Sequence, residues 1–562
     1  MSELLLAVPP WVAFLLAALV VLVAPRRIGA AVAVALTALT VPWVLLAPQG
    51  GALTVAPLGF EQTLFRVDGL TRPVAAIFGL VAAVSLAYAY ATGADRRTSA
   101  YALAYMGASV AAVVAGDWLT LLLAWELMAV TATVLVWHHG SDAVRPAFRY
   151  AVYHLLGGVL VIAGVVLHFA STGTFAYGAG FTDGLPTTLA VLGVGLNLGF
   201  VGLHYWVPDT YPRPHVAASV VLAGFTTKVA VYVMLRLIPD GHALVAWMGG
   251  AMILYGVWMA LLQTNARRLL SYHIVSQVGY MTAAVGIGTA AGTAGALAHL
   301  STHVLYKGLL FMVAGAILYR VGTESLKELG GLGRRMPLTF AAFLVAALAI
   351  SGVPGFSGFV SKGLVTKAVD SAAPELLWWA LVLGGVGTVM SFAKFGYYAF
   401  VRPAPGPIEV RPASRTLTAV LLVTAVPSLV FGLAPDLLFG LVPGGSAGFE
   451  PYAVDEIAKG AAITAVGLVA FVVLRRPLSR VPAVDVDRVL HPLAFRTTRG
   501  LAVATLAAGR VASTALAAAM TALAGRLGPD DRPAAVREQP LGTTLLVVAV
   551  GLGLALLLAQ LA

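Results

Sequence analysis

The segment HLSTHVLYKGLLF carries His299, His303 and Lys307 at intervals of four. On a helix that spacing stacks the three side chains on one stripe, over roughly 12 Å of axis. Further ionisable residues sit among apolar turns: Glu126 in DWLTLLLAWELMAVTATVLVW, Lys228 in VAASVVLAGFTTKVAVYVMLR and Lys362 at the end of AISGVPGFSGFVSKG. A file of amines, imidazoles and a carboxylate can pass protons, because each group's protonation is set by its neighbour's charge. Imidazoles ordinarily titrate near neutrality and suit such a relay. The competing account of any one residue is a snorkelling lysine or a histidine bonded to a backbone carbonyl. That account is preferred for Lys394, near a helix end, and for His154 and His168. His273 follows Arg267 and Arg268 closely, within a turn or two of the membrane surface. His299 and His303 have the i, i+4 spacing of a zinc pair, but no Glu follows His299 and no third ligand is evident, so no metal is expected.

Relay chemistry of this kind requires a membrane around it. The 562 residues are 60% hydrophobic and only 10% charged, against about 25% charge in a soluble domain. Apolar stretches of about 20 residues recur from end to end, the pattern of an all-α polytopic membrane protein. A transmembrane barrel would show short alternating segments instead. There are no cysteines, which excludes disulfides, thiolate-held iron–sulfur clusters and attached c-type haem. No P-loop or dinucleotide fingerprint is evident, and no cofactor is expected. The first span lacks a basic leader and reads as a retained helix. The net charge of +11 reflects loop arginines rather than a nucleic-acid partner.

About 16 transmembrane helices (14–16) are expected, near 4–24, 28–47, 68–92, 99–115, 118–138, 147–171, 185–207, 215–239, 243–263, 268–288, 291–319, 337–360, 375–400, 414–441, 455–474 and 541–562. Arginine-rich loops then fall on one side and mostly acidic loops on the other, which places both termini outside the cell membrane. Two spans look broken, LGVGLNLGFVGLHYWVPD and AISGVPGFSGFVSKG. Interrupted helices at membrane depth are tolerated only inside protein or along a cavity. Lying five spans apart, they point to inverted repeats of five helices, with discontinuous helices 7 and 12 and the site at the repeat interface. The expected organisation is helices 1–3 in 1–95, a first repeat in 96–240, a second in 241–402, peripheral helices in 403–474, a cytoplasmic or interfacial amphipathic segment in 475–540 and a final span in 541–562.

LLLAWELMAV, LHYWVPD, LAGFTTKVAVYVMLR, RRLLSYHIVSQVGYM, HLSTHVLYKGLLF and GVPGFSGFVSK together resemble the antiporter-like subunits shared by respiratory complex I, membrane-bound hydrogenases and Mrp-type Na+/H+ antiporters. The resemblance runs through about residues 65 to 440. TKVAVYVMLR and LKELGGLGRRMPLT are most similar to the Mrp D subunit. The resemblance implies that Glu126 is the fifth-helix glutamate, Lys228 the eighth-helix lysine, His299, His303 and Lys307 the eleventh-helix relay, and Lys362 the charged position on the broken twelfth helix. One position departs. The family's lysine on the seventh helix, twelve residues before the Asp of the WLPD motif, corresponds to Asn197, counting back from Asp209. Asn can hydrogen-bond but cannot titrate, which leaves Lys228 or His204 to substitute. Asn197, His204, His273 and Lys394 are therefore accessory candidates.

The resulting expectation is a membrane subunit of a multisubunit Na+/proton antiporter, not an enzyme, with H+ and Na+ as cargo and other subunits and the lipid bilayer as partners. The alternatives are a proton-translocating subunit of a complex I-like or hydrogenase redox complex, and a relay-degraded subunit of an inorganic-carbon transport module.

Overall fold

The computed structural model describes residues 8–56, 59–178 and 180–490, with isolated positions between 492 and 518. The expected span 541–562, and the expected amphipathic segment beyond 490 apart from those positions, lie outside the described residues. Residues up to Asp485 form one compact unit, and Val486–Ala562 form a second, of which 487–490 are helical.

Three helices, α1 (Trp11–Val23), α2 (Arg26–Ala38) and α3 (Thr40–Leu46), lead to an antiparallel hairpin of β1 (Gly50–Val55) and β2 (Gln62–Val67). The hairpin departs from the all-α expectation. The strands are too short to register against spans of about 20 residues, yet Phe65 and Val67 of β2 are fully buried, as alternation along a one-sided strand requires.

The chain then runs through α4 (Thr71–Ala91), α5 (Arg96–Val114), α6 (Trp118–Trp137) and α7 (Ser141–Thr172). Aspartates start two of these helices: Asp95 accepts from the Thr98 amide and Asp117 from the Thr120 amide, each satisfying an orphan donor of a first turn. Next come α8 (Leu185–Leu198), the short α9 (Trp206–Thr210), α10 (Val216–Gly224), α11 (Thr226–Leu237), α12 (Ala243–Leu262), α13 (Ala266–Ile287) and α14 (Ala290–Val321). A single turn, α15 (Leu332–Arg335), precedes α16 (Pro337–Ser351), α17 (Ser357–Ala372) and α18 (Glu375–Gly396). The described chain continues through α19 (Arg415–Leu433), α20 (Pro435–Phe439) and α21 (Val454–Leu478). Ten of the described helices, counting contiguous pieces together, are long and apolar enough to cross a bilayer.

Both expected breaks are present. α8 ends at Gly199 (φ 80°) and α16 at Gly352 (φ 74°), a left-handed conformation that glycine adopts without a Cβ clash. The second break lies at residues 352–356, and Lys362 sits in the second turn of α17 instead of closing the segment. A third interruption, between α10 and α11 at Phe225, was not read from the sequence: Gly224 precedes it, but without the positive φ that Gly199 and Gly352 adopt at the other two breaks. At the centre, α14 packs against α4, α10, α11, α13, α16, α17 and α19. Nearly every side chain along it is buried, as a helix apolar on all faces demands.

Candidate proton-relay site

His299, His303 and Lys307 on α14 are fully buried. His299 Nδ1 lies 3.0 Å from Ser361 Oγ on α17, and that hydroxyl lies 2.8 Å from Thr302 Oγ1. The His299 and His303 rings are 6.1 Å apart, and His303 meets Tyr306 edge-on at 5.5 Å. Nε2 of His299, both ring nitrogens of His303 and Nζ of Lys307 have no hydrogen-bond partner among the described residues. Buried polar groups are almost always bonded, so this stripe holds spare capacity that water or a moving proton can use. Among the described residues, no bond to a backbone carbonyl of the broken helix holds either imidazole.

Lys228 and Lys362 occupy equivalent surroundings, each beside a helix interruption. The Lys228 ammonium donates to the Ala223 carbonyl at 2.6 Å and to Thr227 Oγ1 at 3.1 Å. The Lys362 ammonium donates to the Ile350 carbonyl at 2.6 Å. Where a helix stops, its last carbonyls lose their intrahelical donors, and each lysine supplies one. Lys362 also lies 4.9 Å over the Tyr280 ring, and Lys307 lies 5.9 Å from the Phe392 ring centre. Phe392 packs on His273 as well, at 4.9 Å, so one ring of α18 touches two ionisable side chains. His273 is buried with neither nitrogen bonded.

The first half of the chain is arranged around two adjacent glycines of α7. A Cβ on Gly158 would fall 1.9 Å from Glu126 Oε1, and one on Gly157 would fall 3.0 Å from Asn197 Oδ1. The Glu126 carboxylate therefore reclines on bare backbone, and its Oε1 has no hydrogen-bond partner. Glu126 and Lys228 are not bonded to one another, since the lysine meets oxygens of α10 and α11. Asn197 is fully buried with neither amide atom bonded. His204, in the break after α8, has its Nε2 3.4 Å from Asp485 Oδ1.

Lys394 donates at 2.6 Å to the carbonyls of both Leu261 and Gln263, which caps the end of α12. His154 bonds the Tyr150 carbonyl at 2.9 Å. His168 stacks on Phe181 and accepts from the Thr182 amide at 3.2 Å. Ser361, Thr227, Tyr280, Phe392 and Asp485 escaped the reading of the sequence. The first four look like ordinary span residues, and Asp485 lies in a loop with no motif around it.

A family profile described as NADH:quinone oxidoreductase/Mrp antiporter, TM, matches residues 115–391. The chain is 29% identical over 375 residues to the D subunit of the Na(+)/H(+) antiporter of Alkalihalophilus pseudofirmus, covering 62% of this chain and 76% of that one. It is 29% identical over 408 residues to the N subunit of the NADH-quinone oxidoreductase of Desulforudis audaxviator, covering 67% and 81%. Among solved structures, a chain of the Mrp complex from Dietzia sp. DQ12-45-1b superposes with a TM-score of 0.70 at 24% identity, over 82% of this chain and 98% of that one.

Proposed function

We propose that this chain, which is similar to the membrane subunits of Mrp antiporters, complex I and a hydrogenase, is one subunit of a multisubunit monovalent cation/proton antiporter. Na+ and H+ are its cargo, and other subunits of the assembly are its partners. The observation that carries this reading is the buried stripe His299–His303–Lys307, with its unbonded nitrogens, between two lysines that each cap an interrupted helix. Five-helix halves over 96–240 and 241–402 would act as inverted repeats around it, with the arginine-rich loops of the cell-membrane protein facing the cytoplasm and both termini outside. Protons would pass between Lys228 and Lys362 by way of the file Lys307, His303 and His299, through side chains and water, with Glu126 loading the first half. His273 is an accessory group. A redox-driven proton pump is the second reading, supported by the similarity to a quinone oxidoreductase subunit over a comparable length.

The test uses the assembled complex in everted vesicles, with a fluorescent probe of the proton gradient and pulses of Na+. Lys228→Ala abolishes exchange while assembly persists. Lys228→Arg fails to restore it, since a guanidinium stays protonated at any physiological pH. Parent-like exchange in either variant removes Lys228 from the path.

A further inference from the structure

The loop that leaves α21 is exposed over residues 479–484, but its end is not. It turns back into the bundle and delivers Asp485, whose side chain is 5% exposed, against His204, which is 1% exposed. Tyr255 of α12 donates to Asp485 Oδ1 at 2.6 Å, and Tyr272 of α13 donates to Oδ2. Two hydroxyls and an imidazole from three separate parts of the fold thus converge on one carboxylate.

A buried carboxylate is costly unless it is paired and hydrogen-bonded, and here a histidine in the break after α8 and tyrosines of α12 and α13 meet it. Burial raises the carboxyl's pKa, but the contacts with His204, Tyr255 and Tyr272 outweigh it and hold the group well below the usual carboxylate range. The other charged or titratable groups nearby are Arg268, which acts on Tyr272, and Tyr205 with the Arg149–Asp209 ion pair beyond it. A second observation lies on the other side of His204. A Cβ on Gly199 would touch the His204 backbone at 3.7 Å and its Cβ at 3.5 Å, so the backbone of His204 packs directly against the end of α8. Two residues before that glycine, Asn197 is sealed from solvent with both amide atoms unbonded. The helix that lacks a titratable group therefore ends beside an imidazole that has a carboxylate behind it.

Building on the antiporter reading, we infer that His204 and Asp485 form a protonatable pair that loads the first half of the relay, performing the ionisable role that Asn197 cannot. His204 carries the proton. Asp485 is a positioning residue, whose Oδ1 faces Nε2 at 3.4 Å and stabilises the imidazolium by its charge. In the loading step a proton from water or hydronium binds His204 Nδ1. In the unloading step the same proton leaves Nδ1 to a water molecule, and the neutral imidazole returns. No other bond changes.

The test is the pH profile of Na+-driven proton movement in everted vesicles containing the whole complex. Asp485→Asn keeps a hydrogen-bonding group on the tyrosines but removes the charge. An opposite charge next to an ionisable group is worth about one to three pKa units, so the alkaline limit of transport shifts toward acid by about one unit or more. His204→Gln lowers transport by roughly a hundredfold, the smaller end of what a positioned proton-transfer group supplies, and adding Asp485→Asn costs nothing further. A parent-like profile in Asp485→Asn, or a uniform loss without a shift, overturns the proposal. If Asp485→Asn does not assemble, His204→Gln decides alone, and parent-like transport in it is fatal. The parent complex separates the two readings. If it moves no protons on addition of Na+, the antiporter reading falls, whereas if it does and the variants behave like it, only the His204–Asp485 pair falls.

Discussion

Gly158→Ala tests whether the position of Glu126 matters, not only its presence. The new Cβ would stand 1.9 Å from Oε1 and 2.9 Å from Cδ of Glu126. Ordinary contact needs roughly 3.5 Å, so the carboxylate must withdraw by roughly 1.5 Å. The obstacle is the far end of a flexible side chain, so the fold can accommodate the methyl. A side chain forced off its rotamer costs about 0.5–1.5 kcal/mol, and glycine to alanine in a helix interior returns about 0.5–1 kcal/mol. Net stability therefore changes by less than about 1 kcal/mol, and assembly is unaffected. Transport is not so tolerant. A misplacement of about 1 Å in a group that must meet a reaction partner costs on the order of a hundredfold. The assay is Na+-driven proton movement in vesicles, normalised to complex content, for Gly158→Ala, Glu126→Gln and the double variant. The single glycine variant should lose most of the transport, and it should add nothing on the Glu126→Gln background, because coupled residues are not additive. Parent-like transport in Gly158→Ala, or a full additional loss in the double variant, would show that the Glu126 position is not what the glycine protects.

Two further outcomes are expected. His303→Gln and His299→Gln keep hydrogen-bonding groups but cannot carry charge, so transport is lost or strongly pH-shifted with normal assembly; parent-like transport in both from mildly acid to alkaline pH would make the stripe a brace. Asp68 accepts two bonds from Arg236 at 2.7 and 2.8 Å; burial raises its carboxyl, and the guanidinium more than offsets this and holds it below the ordinary value. A carboxyl depressed on folding contributes stability above its unfolded pKa of about 3.9, and that contribution is lost as pH falls through the folded value. Thermal stability of the detergent-solubilised chain should stay level down to about pH 4 and drop below it. Asp68→Asn should cost on the order of 2–3 kcal/mol at neutral pH, under the 3–5 kcal/mol of a sealed pair, because the Asp68 side chain keeps 22% exposure; an unchanged melting temperature would contradict the pairing.

Long-range apolar periodicity and isolated charges within it are properties of the chain alone, so the helices, the ionisable residues buried on them and the Gly-marked breaks were legible without coordinates. His299, His303 and Lys307 share a stripe because helix geometry is local. Gly199 and Gly352 announce their breaks because only glycine adopts the required φ cheaply. What a side chain touches across helices is not local, and the tertiary structure decided it. The interruption at Phe225 follows a glycine that lacks the positive φ of Gly199 and Gly352, and only packing shows that Lys228 answers the freed Ala223 carbonyl as Lys362 answers that of Ile350. Arg267, which read as a charge near the membrane surface, is instead clamped to Glu324, as Arg236 is to Asp68. Asp485 read as part of a surface segment, but its partners come from residues 204, 255 and 272. More than 200 residues separate it from each, and no sequence periodicity encodes a contact at that distance.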